Sequence, residues 1–281
     1  MGSASDDHSY EQHGRGRAWR IRCIVARVTG LWSPMNEKET ELVEAIGMRP
    51  SRVLTRRPLT IAFERHSYLP GLFVGMIAFG ISSRHGLLTA LGTGAIAGLA
   101  FALSLVAHES GHLLLGYRVR GVTPRVLVMR STGGVSIVEG RYEDARGAAL
   151  FAAGGPLATL AITIAYVVGG LLLPGRAFGT GLLLPAALNL ALLAANLLPL
   201  APMDGYMLFR SAIWASIGSR AEAERRAIRW SGRLLVYGLF VSLLLLYGDQ
   251  EAGMLALFVL ATFAVQHRAV THRVAPARRT R

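Results

Sequence analysis

The stretch Ala107-His108-Glu109-Ser110-Gly111-His112 is an H-E-x-x-H pattern set in an apolar run. Gly98 to Val106 precede it, and Leu113-Leu114-Leu115-Gly116 follow it. On a helix, His108 and His112 stand one turn apart on one face, and two imidazoles at that spacing can grip one Zn²⁺. Glu109 is then placed as a general base. It would take a proton from the attacking water and pass it to the leaving amine of a peptide bond. A soluble helix of this kind usually keeps a polar face, whereas this one is apolar nearly all round, as membrane helices are. The residues therefore point to peptide hydrolysis at a zinc site inside a membrane.

A hydrolytic zinc site needs a third protein ligand and an open position. No further His or Asp lies near on the same face, so that ligand must come from elsewhere in the chain. Asp204 is the strongest candidate, an ionisable side chain among apolar residues just after Pro199 and Pro202, which break regular helix. An unpaired Asp at the centre of a bilayer costs ~3 kcal/mol on insertion scales, which coordination would offset. Gly205 permits a tight backbone approach beside it. Asn196 has two readings of equal weight: a donor to the substrate backbone or oxyanion, or a hydrogen bond between helices. For Asn189, two turns earlier, the helix–helix bond is expected. His8, His13, His66, His85, His267 and His272 fall in tails or loops and are expected to be solvated.

The elements that must position these groups are mostly membrane spans. Of 281 residues 52% are hydrophobic, and mean hydropathy is +0.40, too apolar for an ordinary soluble domain of this length. Formal charge is +13, and Lys38 is the only lysine, so the charge is arginine. The arginines flank apolar runs instead of forming one stripe, which indicates membrane topology and argues against nucleic acid. Arginine-rich, Ala/Gly/Leu-rich composition is associated with GC-rich bacterial genomes. Cys23 is the only cysteine, which excludes an internal disulfide or a cysteine metal cluster. The first 30 residues show no apolar core of a secretory signal.

Apolar segments are expected at about 68–82, 87–117, 148–173, 179–198, 234–247 and 254–265, with a short helix at about 206–217. Residues 125–129 and 135–138 read as strands around the turn at 130–134, a hairpin that could hold an unwound substrate by strand addition. The arginine-rich leader, the 118–146 loop, the 210–233 loop and the tail fall on one side, so both termini are expected in the cytoplasm. The expected fold is an all-α polytopic membrane protein with about six transmembrane helices and a small β-hairpin beside the active site. Three regions follow: a polar, basic leader over 1–66, an intramembrane domain over 67–267 and a basic tail over 268–281. Within the leader, 37–46 could form a short helix. Arginines 15 to 27, interleaved with apolar residues, suit either a solvated tail or a membrane-surface helix.

Three separated motifs resemble those of the site-2 protease family of intramembrane zinc metalloproteases. His108-Glu109-Ser110-Gly111-His112 is similar to its H-E-x-G-H, Gly155-Pro156 to its G-P element, and the segment from Asn196 to Gly205 to its N-L-L-P-x-x-P-L-D-G block. The arginine-rich helix after Asp204-Gly205 is similar to that of the bacterial sporulation-factor-processing branch. The resemblance implies one zinc ion held by His108, His112 and Asp204, with Glu109 catalytic. It implies membrane-protein substrates cut in or near a transmembrane segment, a multi-pass bacterial plasma-membrane location, and a regulatory membrane partner. Ser110, Met203 and Tyr206 depart from the family pattern. None removes a ligand or the base, and Tyr206, where a second Gly is common, is expected to narrow the site. No PDZ-like insertion or CBS pair is visible. The rival function is a non-proteolytic metal-binding membrane protein or pseudoprotease, against which Glu109 speaks because metal binding alone does not need it.

Overall fold

The computed structural model describes residues 37–45, 52–56, 59–131, 133–172 and 175–274. The arginine-rich stretch at 15–27 and the end of the basic tail lie outside them. The described chain forms two compact units.

The first unit comprises the residues up to Leu69 together with 125–137. Helix α1 (Glu37–Ala45) is followed by strands β1 (Arg52–Arg56) and β2 (Leu59–Phe63). Strands β3 (Val122–Arg130) and β4 (Gly133–Gly140) are the expected hairpin, and they join β1 and β2 in a four-stranded sheet ordered β1-β2-β3-β4. β1 runs antiparallel to β2, and β2 runs parallel to β3 with Thr60 opposite Val126 and Phe63 opposite Met129. Val43, Ala62, Val126 and Val128 form its fully buried core, with Ile137 packed against them. The leader thus contributes two strands to this sheet and a helix to its core, whereas only the helix is expected from the sequence.

The second unit is helical. It contains α2 (Leu69–Ser82), α3 (Leu87–Gly116), α4 (Ala145–Leu172), α5 (Arg176–Asn196), α6 (Asp204–Ile217), α7 (Arg220–Gly248) and α8 (Gln250–Val274). Among the described residues, α3, α4, α5 from Ala177, and α7 are long and apolar enough to cross a membrane. α2 has 14 residues, about 21 Å of helix, short of the ~30 Å hydrocarbon core. The chain is a mostly helical membrane protein with a small sheet, and four of the six expected spans meet the length and hydropathy that spanning requires.

Residues 218–233 are not a loop. Gly218 takes the left-handed conformation (φ +72°) that ends α6, and Ser219 caps the next helix, accepting from the Glu222 amide at 3.3 Å. Ser219-Arg220-Ala221-Glu222 has the residue types of a capping box, and the arginine-rich stretch and the fifth apolar segment form one 29-residue helix, α7. Asn189 is 1% exposed and donates from Nδ2 to Ser104 Oγ on α3 over 2.8 Å, the expected bond between helices.

Candidate metal centre

α3 presents His108 and His112 one turn apart, with their Nε2 atoms 3.4 Å from each other. α6 begins at Asp204, whose two carboxylate oxygens lie 3.2 Å from His108 Nε2 and 3.2 Å from His112 Nε2. Chain breaks of helix make this possible. α5 stops at Asn196 and Met203 is extended, so Asp204 starts a new helix. Gly205 is wedged against the Leu197 and Leu198 carbonyls, where a Cβ would collide. Glu109, half-buried, follows His108.

Each imidazole is oriented from α4. His108 Nδ1 is 2.8 Å from the hydroxyl of Thr159, a residue 4% exposed. His112 Nδ1 is 2.8 Å from the carbonyl oxygen of Phe151, whose ring stacks on the imidazole at 5.2 Å between centroids. A carbonyl can only accept, so this Nδ1 carries the proton and Nε2 keeps its lone pair. The amide of Gly155 also approaches that Nδ1, at 3.3 Å. An already protonated nitrogen cannot accept from it, and the shorter carbonyl contact sets the tautomer.

These donors fit a zinc ion. Two imidazole nitrogens and one carboxylate converge with all ligand atoms within 4.8 Å of one another, and three protein ligands leave a fourth position open. The two Nδ1 atoms are already engaged outward, the arrangement that fixes metal-binding histidines. Room is kept by glycine: a Cβ at Gly155 would stand 2.6 Å from His108 Nε2 and closer still to His112 Nε2. At Gly111 and Gly154 the backbones of α3 and α4 touch, and a Cβ on either would run into the other's carbonyl.

Of the residues singled out in the sequence, His108, His112 and Asp204 come together, and Glu109 adjoins them. Asn196 closes α5 and is half-buried. Tyr206 is 4% exposed and turns its hydroxyl to Glu224 on α7, 2.7 Å away, so it packs against that helix. His267 departs from its expected solvated state. It lies within α8, half-buried, with Nδ1 3.0 Å from the buried Ser231 Oγ. Thr159 and Phe151 were not legible as site residues, since the only cue is the spacing of small residues in α4 that brings it against α3.

No family model matches the chain. It is 32% identical over 137 residues to a Mycobacterium tuberculosis protein named "Putative zinc metalloprotease Rip3", covering 47% of this chain and 34% of that one. It is 31% identical over 131 residues to "Putative zinc metalloprotease sll0528" of Synechocystis sp., covering 45% of this chain and 34% of the relative. The aligned part thus spans about a third of the length of these curated relatives. Among solved structures, the Site-2 Protease from Methanocaldococcus jannaschii is matched over 78% of this chain and 95% of that one, at 20% identity and a TM-score of 0.49. Over the aligned part, the chain is similar to curated proteins named as putative zinc metalloproteases.

Proposed function

We propose that the chain is an intramembrane zinc endopeptidase that hydrolyses peptide bonds in or near transmembrane segments of membrane proteins, as a step of regulated intramembrane proteolysis. The observation that carries this reading is the meeting of His108, His112 and Asp204 around one point, with Glu109 beside them, on helices apolar enough to span a bilayer. The names of the curated relatives support it.

In this reading His108 and His112 ligate through Nε2, and Asp204 ligates through its carboxylate. Zinc, when bound, polarises a substrate carbonyl and lowers the pKa of water toward ~7. Glu109 is the general base: its carboxylate takes a proton from the attacking water and delivers it to the departing amine. The Phe151 carbonyl holds His112 in the tautomer that keeps its Nε2 free of a proton, and the Thr159 hydroxyl orients the His108 ring through Nδ1. Asn196 is the candidate donor to the substrate backbone. Among the described strands β4 stands at the end of the sheet, a position that suits main-chain pairing with an unwound segment.

The apolar helices and the distribution of arginine support a multi-pass bacterial plasma-membrane protein with both termini in the cytoplasm. The partners on this reading are the lipid bilayer, a membrane-protein substrate and a regulatory membrane protein. The test is to compare the membrane proteins of cells carrying wild type and Glu109→Gln. Specific transmembrane fragments should accumulate uncut in the variant. Identical fragment profiles would contradict the assignment.

A further inference from the structure

We infer that one face of α7, formed by Glu224, Ala227 and Ser231, is a brace that positions Asp204 for the metal. The inference rests on Asp204 being a ligand, as proposed above.

Residues 224, 227 and 231 share one side of a helix, and each touches the segment that carries Asp204. Ser231, fully buried, accepts the amide of Ala201 at 3.0 Å. Ala227, also fully buried, packs with Ala201 and Tyr206. Glu224 spreads its carboxylate across one turn of α6. Oε1 accepts the Tyr206 hydroxyl at 2.7 Å, and Oε2 accepts Arg210 Nη1 at 2.7 Å. The ion pair with Arg210 is largely shielded, its side chains 12% and 21% exposed.

Asp204 sits between the two anchored points. Ala201 is fixed three residues before it and Tyr206 two residues after it, both to the same helix. The stretch between α5 and α6 is not continuous helix and includes two prolines; within it the Met203 amide donates to the Leu200 carbonyl at 2.8 Å, and the bonds to α7 add placement from outside. His108 and His112 get their placement from within a continuous helix. Asp204 starts a helix, and α7 supplies what the backbone there lacks. Groups hydrogen-bonded to a metal ligand change affinity by about 10–100-fold on removal; here the bonds hold the backbone on either side of the ligand, and a loss at the lower end of that range is expected. Tyr206 is therefore a positioning residue, and Glu224 is the group it acts through.

The experiment measures zinc affinity by competition with a chromophoric chelator, using the purified full chain in detergent, alongside its thermal unfolding. Glu224→Ala should weaken zinc binding about tenfold or more. Glu224→Gln, which can still accept the Tyr206 hydroxyl, should recover part of the loss. Tyr206→Phe removes one hydroxyl and leaves the Glu224–Arg210 pair, so it tests the same link if Glu224→Ala does not fold. Ser242→Ala, also buried on α7 but bonded only within its helix, should bind zinc as wild type does. A merely structural contact would lower the unfolding temperature and leave affinity unchanged. Zinc affinity within about twofold of wild type in folded Tyr206→Phe, against the larger loss expected here, would overturn the brace. Asp204→Ala separates the two readings. If it loses zinc while Glu224→Ala and Tyr206→Phe keep it, the brace alone fails. If Asp204→Ala binds as wild type does, the ligand assignment fails and takes the brace with it.

Discussion

Thr159 and His108, 51 residues apart in sequence, meet across the α3–α4 contact with 2.8 Å between Oγ1 and Nδ1. The hydroxyl stands on the far side of the ring from Asp204, so it acts on the nitrogen that does not face the metal position. Thr159→Val, of nearly the same shape, removes this partner. Zinc affinity should fall about 10–100-fold, as it does when the outer partner of a metal-binding histidine is lost. Thr159→Ser should retain most of it. Chelator competition on the purified protein measures both, and a Val variant with wild-type affinity would remove Thr159 from the site.

Gly155 gives a steric test. An added methyl would lie 2.6 Å from His108 Nε2 and nearer to His112 Nε2, inside the volume that the metal needs. Gly155→Ala is expected to lower zinc occupancy sharply while helix content, read by circular dichroism, stays as in wild type. Full zinc occupancy in this variant would mean that α4 lies farther from the histidines than described.

The bond from Asn189 to Ser104 joins α5 to α3 one turn before His108, without touching a metal ligand side chain. Bonds of this kind between membrane helices average ~0.6 kcal/mol and reach ~1.7. Asn189→Leu should destabilise the protein within that range in a reversible denaturation titration and leave zinc content unchanged. A loss of zinc would give Asn189 a role in the site.

Membrane orientation rests on the arginines. A reporter fused after Tyr247, in the short connection between α7 and α8, should report the non-cytoplasmic side. A cytoplasmic signal there would break the topology.

The site was legible where one residue type does one chemical job. Two histidines at helical spacing, a neighbouring Glu and an isolated Asp after prolines are chemical signals that survive without any tertiary information. The hairpin was legible for a similar reason, because a glycine turn separates two β-branched runs. What stayed hidden depends on partners distant in sequence. Arg52 to Arg56 and Leu59 to Phe63 are strands only because β3 lies beside β2, and their arginines read as part of a solvated leader. Thr159 is one of several small residues in α4, and nothing local marks it out. Ser219 and Glu222 mark the start of α7, a local signal that the reading of 210–233 as an arginine-rich loop leaves out. His267 looked like a tail residue because α8 continues past the apolar stretch, and its partner Ser231 is 36 residues away.

On the proposed function, Glu109 performs proton transfer at a zinc site built by His108, His112 and Asp204. The most direct measurement compares purified wild type and Glu109→Gln for cleavage of a transmembrane substrate, with zinc content determined on the same samples. Glu109→Gln should keep its zinc and lose cleavage by about 10²–10⁴-fold, the contribution of a positioned general base, and a zinc chelator should abolish cleavage by wild type. Cleavage by zinc-loaded Glu109→Gln at the wild-type rate would contradict the mechanism.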